Sequence, residues 1–301
     1  MKNWQLKQKQ SLRLEEKILM SQNRIRDWYE YWEGNVYISF SGGKDSTVLL
    51  HLVREIYPEV PAVFVDTGLE YPEIREFVKG FDNVVWLEPK KPFPDIIKKY
   101  GYPVVSKKVA RMIRDLQNPT DNNKTVRNLY MTGITSKGHK SNSFKLPEKW
   151  KFLIDAPFMI SEKCCDYMKK EPFKRYEKKT GNLPYIGTMA QDSQQRRASY
   201  LQTGCNNFNN KHSSPLAFWL ERDIWEYLEN IKYCKIYDMG ESRTGCMFCM
   251  FGVHLENEPN RFQRMQKTHP KQYNYCMNYL GINNVLDFVG VPTRKQGMKK
   301  S

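Results

Sequence analysis

One short run of small and polar residues constrains this chain more than any other feature. Residues 35–40 (NVYISF) are β-branched and aromatic and read as a strand. They lead into Ser41-Gly42-Gly43-Lys44-Asp45-Ser46, and the apolar stretch 47–56 reads as a helix. Between a strand and a helix, small residues from Ser39 to Ser46 let backbone N–H groups approach a phosphate, and the helix N-terminus adds positive potential. Lys44 adds a point charge. Two familiar nucleotide loops do not fit. Asp45 stands where a Walker A loop has Ser or Thr, and the Gly-x-Gly-x-x-Gly spacing is missing.

The alternation continues downstream. Pro61 precedes a strand at 62–65, which ends in Asp66-Thr67-Gly68. A helix is expected at 72–78, a strand at 83–87 and a further short strand at 184–187. Strands alternating with helices predict an α/β fold with a doubly wound, mostly parallel sheet. Asp66, at the carboxyl end of the second strand, is a candidate to hold Mg²⁺ or ribose, with Thr67 and Gly68 beside it. Upstream, Ile18, Ile25, Trp28, Tyr29 and Trp32 recur at helical spacing over 12–32. Helices are also expected at 223–229 and at 262–280, the latter broken by Pro270. Residues 118–149, rich in Asn, Thr, Ser, Lys and Gly, read as a loop insertion or flap. The expected organisation is an N-terminal helical segment (1–33), a nucleotide-binding α/β domain (34–230) and a Cys-rich, mainly helical extension (231–301). The basic end, 294–301, is expected to fray.

Charge narrows the partners. The 301 residues carry 48 Lys and Arg against 33 Asp and Glu, a net +15 that favours polyanions: nucleotides, DNA, RNA or an anionic surface. No apolar run is long enough to span a membrane, and Met1 to Gln10 is polar, so a cytoplasmic protein without membrane association is expected.

Seven cysteines, an odd number in such a chain, argue against a disulfide framework. Cys164 and Cys165 are adjacent, and Cys246 and Cys249 form a Cys-x-x-Cys pair. Four thiolates suit an iron–sulfur cluster or tetrahedral Zn²⁺. Adjacent cysteines fit the usual zinc spacing poorly, which favours [4Fe–4S].

Two resemblances sharpen this reading. Ser41 to Ser46 is similar to the pyrophosphatase loop (PP-loop) of the adenine-nucleotide α-hydrolase superfamily, Ser-Gly-Gly-x-Asp-Ser. The Cys-Cys and Cys-x-x-Cys pairs resemble the cluster motif of assimilatory adenylyl-sulfate reductases. The flanks agree: Lys169 to Phe173, Ser214-Pro215-Leu216, Trp219, Asp223-Ile224-Trp225, Tyr227 and Gly240 to Cys249. Gly187-Thr188-Met189, Asp192-Ser193 and Arg196 fall where that family has Gly-x-Arg…Ser…Arg. The chain thus resembles the phosphoadenosine phosphosulfate (PAPS) reductase family. The resemblance implies an adenine nucleotide, ATP or an adenylylated sulfate, bound by Ser39, Ser41–Ser46, Asp66–Gly68, Gly187 and Arg196. It implies catalytic roles for Lys44, Asp45 and Asp66, with Mg²⁺ on Asp45 or Asp66. It also implies a [4Fe–4S] cluster on Cys164, Cys165, Cys246 and Cys249.

The sequence departs from the reductases in two ways. Their C-terminal Glu-Cys-Gly-(Ile/Leu)-His motif is missing, leaving Cys205 and Cys276 as candidate thiols. The loop keeps Lys44, which those enzymes commonly lack. Both departures favour ATP α–β cleavage, an adenylylation, coupled to sulfur transfer. The acceptor would be a nucleic acid, and a cysteine desulfurase or other thiol or persulfide donor would supply sulfur. The alternatives are a sulfonucleotide reductase releasing sulfite and a non-catalytic nucleotide and cluster sensor. Arg196, Arg197 and Arg243 are candidate anion holders, and His254 and His269 candidate ligands or acids.

Overall fold

Alternation along the first strand organises the structure, a computed structural model that describes residues 1–293. The basic end at 294–301 lies outside the described residues. Eight strands are described: β1 (Val36–Ser39), β2 (Ala62–Val65), β3 (Val84–Leu87), β4 (Val104–Val105), β5 (Leu183–Ile186), β6 (Asn206–Asn207), β7 (His212–Ser213) and β8 (Met250–Phe251). Six form one sheet in the order β3-β2-β1-β5-β7-β6, parallel except for the β6–β7 pair. Side chains alternate between the faces of a strand. Tyr37 packs with Val63 and Tyr176 on one face, and its hydroxyl donates to Glu177 of the helix Glu171–Thr180 at 2.8 Å. Ile38 faces the other way, in register with Tyr185. The Tyr185 hydroxyl donates to the Ile25 carbonyl of the helix Leu14–Tyr31 at 2.7 Å. Helices therefore cover both faces, which makes the sheet doubly wound and buries Val36, Tyr37 and Ile38 of β1 and all of β2.

The chain divides into two compact units whose boundaries cross the linear segments 1–33, 34–230 and 231–301. The first comprises Met1–Asp66, Glu70–Pro89 and Glu171–Gly245, and contains the whole six-stranded sheet. The second comprises Thr67–Leu69, Lys90–Lys170 and Cys246–Ser301. It pairs β4 with β8 in parallel and is otherwise mainly helical.

The helix expected at 12–32 is Leu14–Tyr31, and a separate helix, Asn3–Gln10, precedes it. The segment 118–149 is more ordered than expected. It contains a helix, Lys124–Thr132, ended by Gly133 at φ +75°. Tyr130 is buried there, and its carbonyl accepts from the Leu146 N–H at 2.7 Å. A polar composition masked this helix because so few of its side chains are buried. The stretch expected helical over 262–280 is divided at Pro270 into Arg261–Thr268, Pro270–Asn274 and a wider turn at Tyr275–Tyr279.

Candidate nucleotide site and cysteine cavity

In the first unit, β1 has β2 on one side and β5 on the other. An open sheet forms a crevice beyond the carboxyl ends of two such strands. The Ser41–Ser46 loop leaves β1 at that point and opens the helix Lys44–Arg54, one turn earlier than the sequence pattern suggests. Residues 186–189, following β5, form the opposite wall. The result is a cavity of about 470 Å³, in the range of small-molecule sites. Ser39, Ser41, Gly43, Lys44, Asp45, Ser46, Gly187 and Arg196 all line it, as does Arg243.

Close packing explains the glycines. Gly42 has φ +70°, and a Cβ there would lie 2.8 Å from an Ile74 methyl. A Cβ on Gly43 would lie 2.2 Å from Thr244 Oγ1, and one on Gly187 would meet the Asp45 carbonyl at 3.0 Å. The loop is fastened from within. Ser46 Oγ donates to the Gly43 carbonyl at 2.9 Å and accepts from the Ser41 N–H at 3.2 Å.

The charges at the loop have partners that the sequence reading missed. The Lys44 ammonium lies 3.2 Å from Glu221 Oε1 and 3.9 Å from Asp45 Oδ1, and donates to the Ser242 carbonyl at 3.4 Å. Trp225 and Tyr237 flank it, with ring centroids at 5.9 and 5.6 Å. The Lys44 backbone N–H donates to the Tyr237 hydroxyl at 2.7 Å. Asp45 keeps 31% of its side chain exposed, yet its Oδ1 is enclosed with no hydrogen-bond partner among the described residues. Burial pushes the Asp45 carboxyl above its ordinary value, and Lys44 opposes that shift. Arg196 pairs with Asp192, and Arg197 donates to Asn3 outside this cavity.

Asp66 is placed differently from the expectation. It forms an ion pair with Arg75 at 2.7 Å and is not among the residues lining the cavity. Thr67 and Gly68 belong to the second unit. Thr67 Oγ1 there accepts from the Leu69 N–H at 3.2 Å, and Gly68 takes φ +73°.

The second unit brings Cys164, Cys165, Cys246 and Cys249 to one small cavity of about 20 Å³, walled by Leu69, Phe93, Pro103, Met168 and Phe248. The Cys164 thiol donates to Cys165 Sγ at 4.0 Å. That bond pulls the Cys165 thiol down to about 6, with Lys107 and Lys169 acting in the same direction against burial. The same contact and burial push Cys164 up. Among the described residues no group of three or more His, Cys, Asp or Glu side chains is arranged to hold a metal ion. The case for a metal centre therefore lies in the donor set: four thiols around one apolar cavity, with two lysines drawing one of them toward the thiolate.

The remaining candidates are buried or differently engaged. Burial pushes Cys205 up to about 12 and raises Cys276, which has no exposed surface. Neither lines the nucleotide cavity. His254 packs edge-on against Trp150 at 5.0 Å, and His269 Nδ1 lies 2.8 Å from Thr268 Oγ1. No described helix is long and apolar enough to cross a membrane.

With this geometry in hand, comparison with known proteins decides the family. The family model described as "Phosphoadenosine phosphosulfate reductase domain" matches residues 35–102 and 84–251, most of the chain and both cavities' motifs. The chain belongs to the PAPS reductase domain family. It is 25% identical over 281 residues to an uncharacterized protein of Methanocaldococcus jannaschii, covering 89% of this chain and 54% of that one. It therefore spans about half the length of that relative. It is 24% identical over 256 residues to the adenosine 5'-phosphosulfate reductase of Staphylococcus epidermidis, covering 81% and 83%. The crystal structure of phosphoadenylyl-sulfate reductase from Candida auris, in its phosphate complex, aligns with a TM-score of 0.43 at 16% identity, covering 75% of this chain and 87% of that one.

Proposed function

We propose that the first unit binds an adenylylated sulfate, adenylyl sulfate or its 3′-phosphorylated form, with the phosphate on the Ser41–Ser46 loop. One observation carries this reading. The Ser41–Ser46 loop, inside the family match that starts at residue 35, lines a polar cavity that also presents Arg196 and Arg243. Backbone N–H groups and hydroxyls of the loop would hold the phosphate, and the arginine forks suit phosphate or sulfate oxygens. The enclosed Asp45 Oδ1, short of a hydrogen-bond partner, is the carboxylate oxygen best suited to Mg²⁺.

Reductive cleavage then needs a thiolate and two electrons. The cavity lining contains no cysteine, and burial holds Cys205, Cys234 and Cys276 as neutral thiols. We assign both roles to an external dithiol. Its thiolate attacks sulfur, and AMP, or adenosine 3′,5′-bisphosphate from the 3′-phosphorylated form, leaves with the bridging oxygen. The second thiol then displaces sulfite, and the dithiol becomes a disulfide. Cys164, Cys165, Cys246 and Cys249 would hold a [4Fe–4S] cluster in the second unit, which when bound would supply a redox-active centre.

A second reading is ATP α–β cleavage coupled to sulfur transfer onto a nucleic-acid or other acceptor. The lack of a thiol at the nucleotide cavity and the presence of Lys44 in the loop favour it. The two readings separate by product in a single assay with wild type and Ser46→Ala. Sulfite from adenylyl sulfate with a dithiol, lost in the variant, supports the first. Pyrophosphate from ATP with no sulfite overturns it in favour of the second.

A further inference from the structure

A phosphate on the Ser41–Ser46 loop has two obvious donors to use: the first N–H of the helix and the Lys44 ammonium. Both belong to Lys44, and both are already engaged by oxygens from late in the first unit. The N–H donates to the Tyr237 hydroxyl at 2.7 Å. The ammonium lies 3.2 Å from Glu221 Oε1. Tyr237 belongs to a short turn, Lys235–Tyr237, and Glu221 opens the helix Glu221–Leu228. Tyr237 is also tied down, since its hydroxyl donates to Thr244 Oγ1 at 3.5 Å and its ring closes on Trp225 with centroids 5.4 Å apart. Thr244 in turn packs where a Gly43 Cβ would otherwise stand. One oxygen is neutral and the other anionic, so together they satisfy the loop as a phosphate would.

We infer that Tyr237 and Glu221 are positioning residues that occupy the phosphate donors of Lys44 in the free protein and must release them when a nucleotide binds. The inference rests on the nucleotide reading above and deepens it. Two consequences follow. The loop stays ordered without ligand, because its buried donors are never left unsatisfied. Nucleotide affinity is lowered by the fraction of molecules in which Lys44 is held, since a ligand binds only the released form.

The test measures dissociation constants for ATP, adenylyl sulfate and pyrophosphate by calorimetry on the full chain. Glu221→Gln removes the anionic competitor and keeps the shape, and about tenfold tighter binding is expected, the scale of one charge-assisted hydrogen bond. Tyr237→Phe frees the N–H, and about threefold tighter binding is expected, the scale of a neutral bond. In a Lys44→Met background the Glu221→Gln gain should vanish while the Tyr237→Phe gain persists, because only the side chain has been removed. A purely structural role for Glu221 would not follow that pattern. Thermal unfolding of each variant confirms that it folds. Weaker or unchanged binding in both single variants, in a wild type that binds, overturns this inference alone. A folded wild type that binds none of the three probes overturns the nucleotide reading itself.

Discussion

The Asp223 carboxylate matches a family motif, yet its surroundings assign it a structural task. Its Oδ2 lies 2.7 Å from the Lys17 ammonium, and the two side chains are 4% and 0% exposed. Lys17 also donates to the Gln10 carbonyl at 2.9 Å, and the same carboxylate oxygen accepts from the Leu220 N–H at 2.7 Å. The pair joins the helix Leu14–Tyr31 to the start of the helix that carries Glu221. Lys17→Met keeps the length and removes the buried charge, leaving the carboxylate with the Leu220 N–H and the mostly exposed Arg222, whose Nε lies 3.6 Å from Asp223 Oδ1. Breaking a pair this enclosed costs about 3–5 kcal/mol, because the surviving charge stays desolvated. That is a large share of the 5–15 kcal/mol typical of a folded protein. At roughly 2–4 °C per kcal/mol, the unfolding midpoint of the first unit should fall by about 10 °C. Adding Asp223→Leu removes the stranded charge and should recover most of that loss, short of about 1 kcal/mol for the Leu220 N–H that loses its cap. Thermal unfolding followed by circular dichroism on the two single variants and the double variant closes the cycle. A single-variant shift of 2 °C or less, or a double variant no more stable than the worse single, would refute the claim that desolvation dominates here.

Three other outcomes are expected. Gly43→Ala places a methyl 2.2 Å from Thr244 Oγ1, so nucleotide affinity should fall by tenfold or more, and Thr244→Ala in the same chain should restore part of it; calorimetric titration reads both. Serine at Cys164, Cys165, Cys246 or Cys249 should lower the iron and acid-labile sulfide bound after anaerobic reconstitution, whereas Cys276→Ala should not, since Cys276 has no place in that cavity. Burial holds the His51 imidazole below its ordinary value, so its neutral form stabilises the fold above about pH 6.5 and that contribution is lost as the pH falls. His51→Gln should therefore make the midpoint less pH-dependent between about pH 7 and 5, as read by melting curves across that window.

What could be read from the sequence was local. The strand, the Ser41–Ser46 loop and its helix are contiguous, and each residue's type matches its immediate neighbours' needs. The parallel pairing of β1, β2, β3 and β5 follows from alternating strands and helices, whereas their order β3-β2-β1-β5 comes from the structure. The cysteine pairs were also readable, because two short motifs name the four cysteines that line one cavity, whatever path joins them. The partners of Lys44 were not. Glu221 reads as an ordinary acid in a helix's first turn, and Tyr237 as one of many aromatics; nothing nearby in the chain ties either to residue 44. The pairing of Asp66 with Arg75 was hidden for a related reason, since a carboxylate at a strand's end reads the same whether it meets a ligand or an arginine on the next helix. The helix Lys124–Thr132 carries only one buried side chain, too weak a periodic signal beside its polar flanks.

The most direct test of the account incubates anaerobically purified, cluster-reconstituted protein with adenylyl sulfate, its 3′-phosphorylated form or ATP, each with a dithiol reductant, and follows sulfite, AMP, adenosine 3′,5′-bisphosphate and pyrophosphate together. The account predicts sulfite in equal amounts with the released nucleotide, AMP from adenylyl sulfate or adenosine 3′,5′-bisphosphate from its 3′-phosphorylated form, abolished by Ser46→Ala. Pyrophosphate from ATP, with no sulfite from either sulfonucleotide, would contradict it.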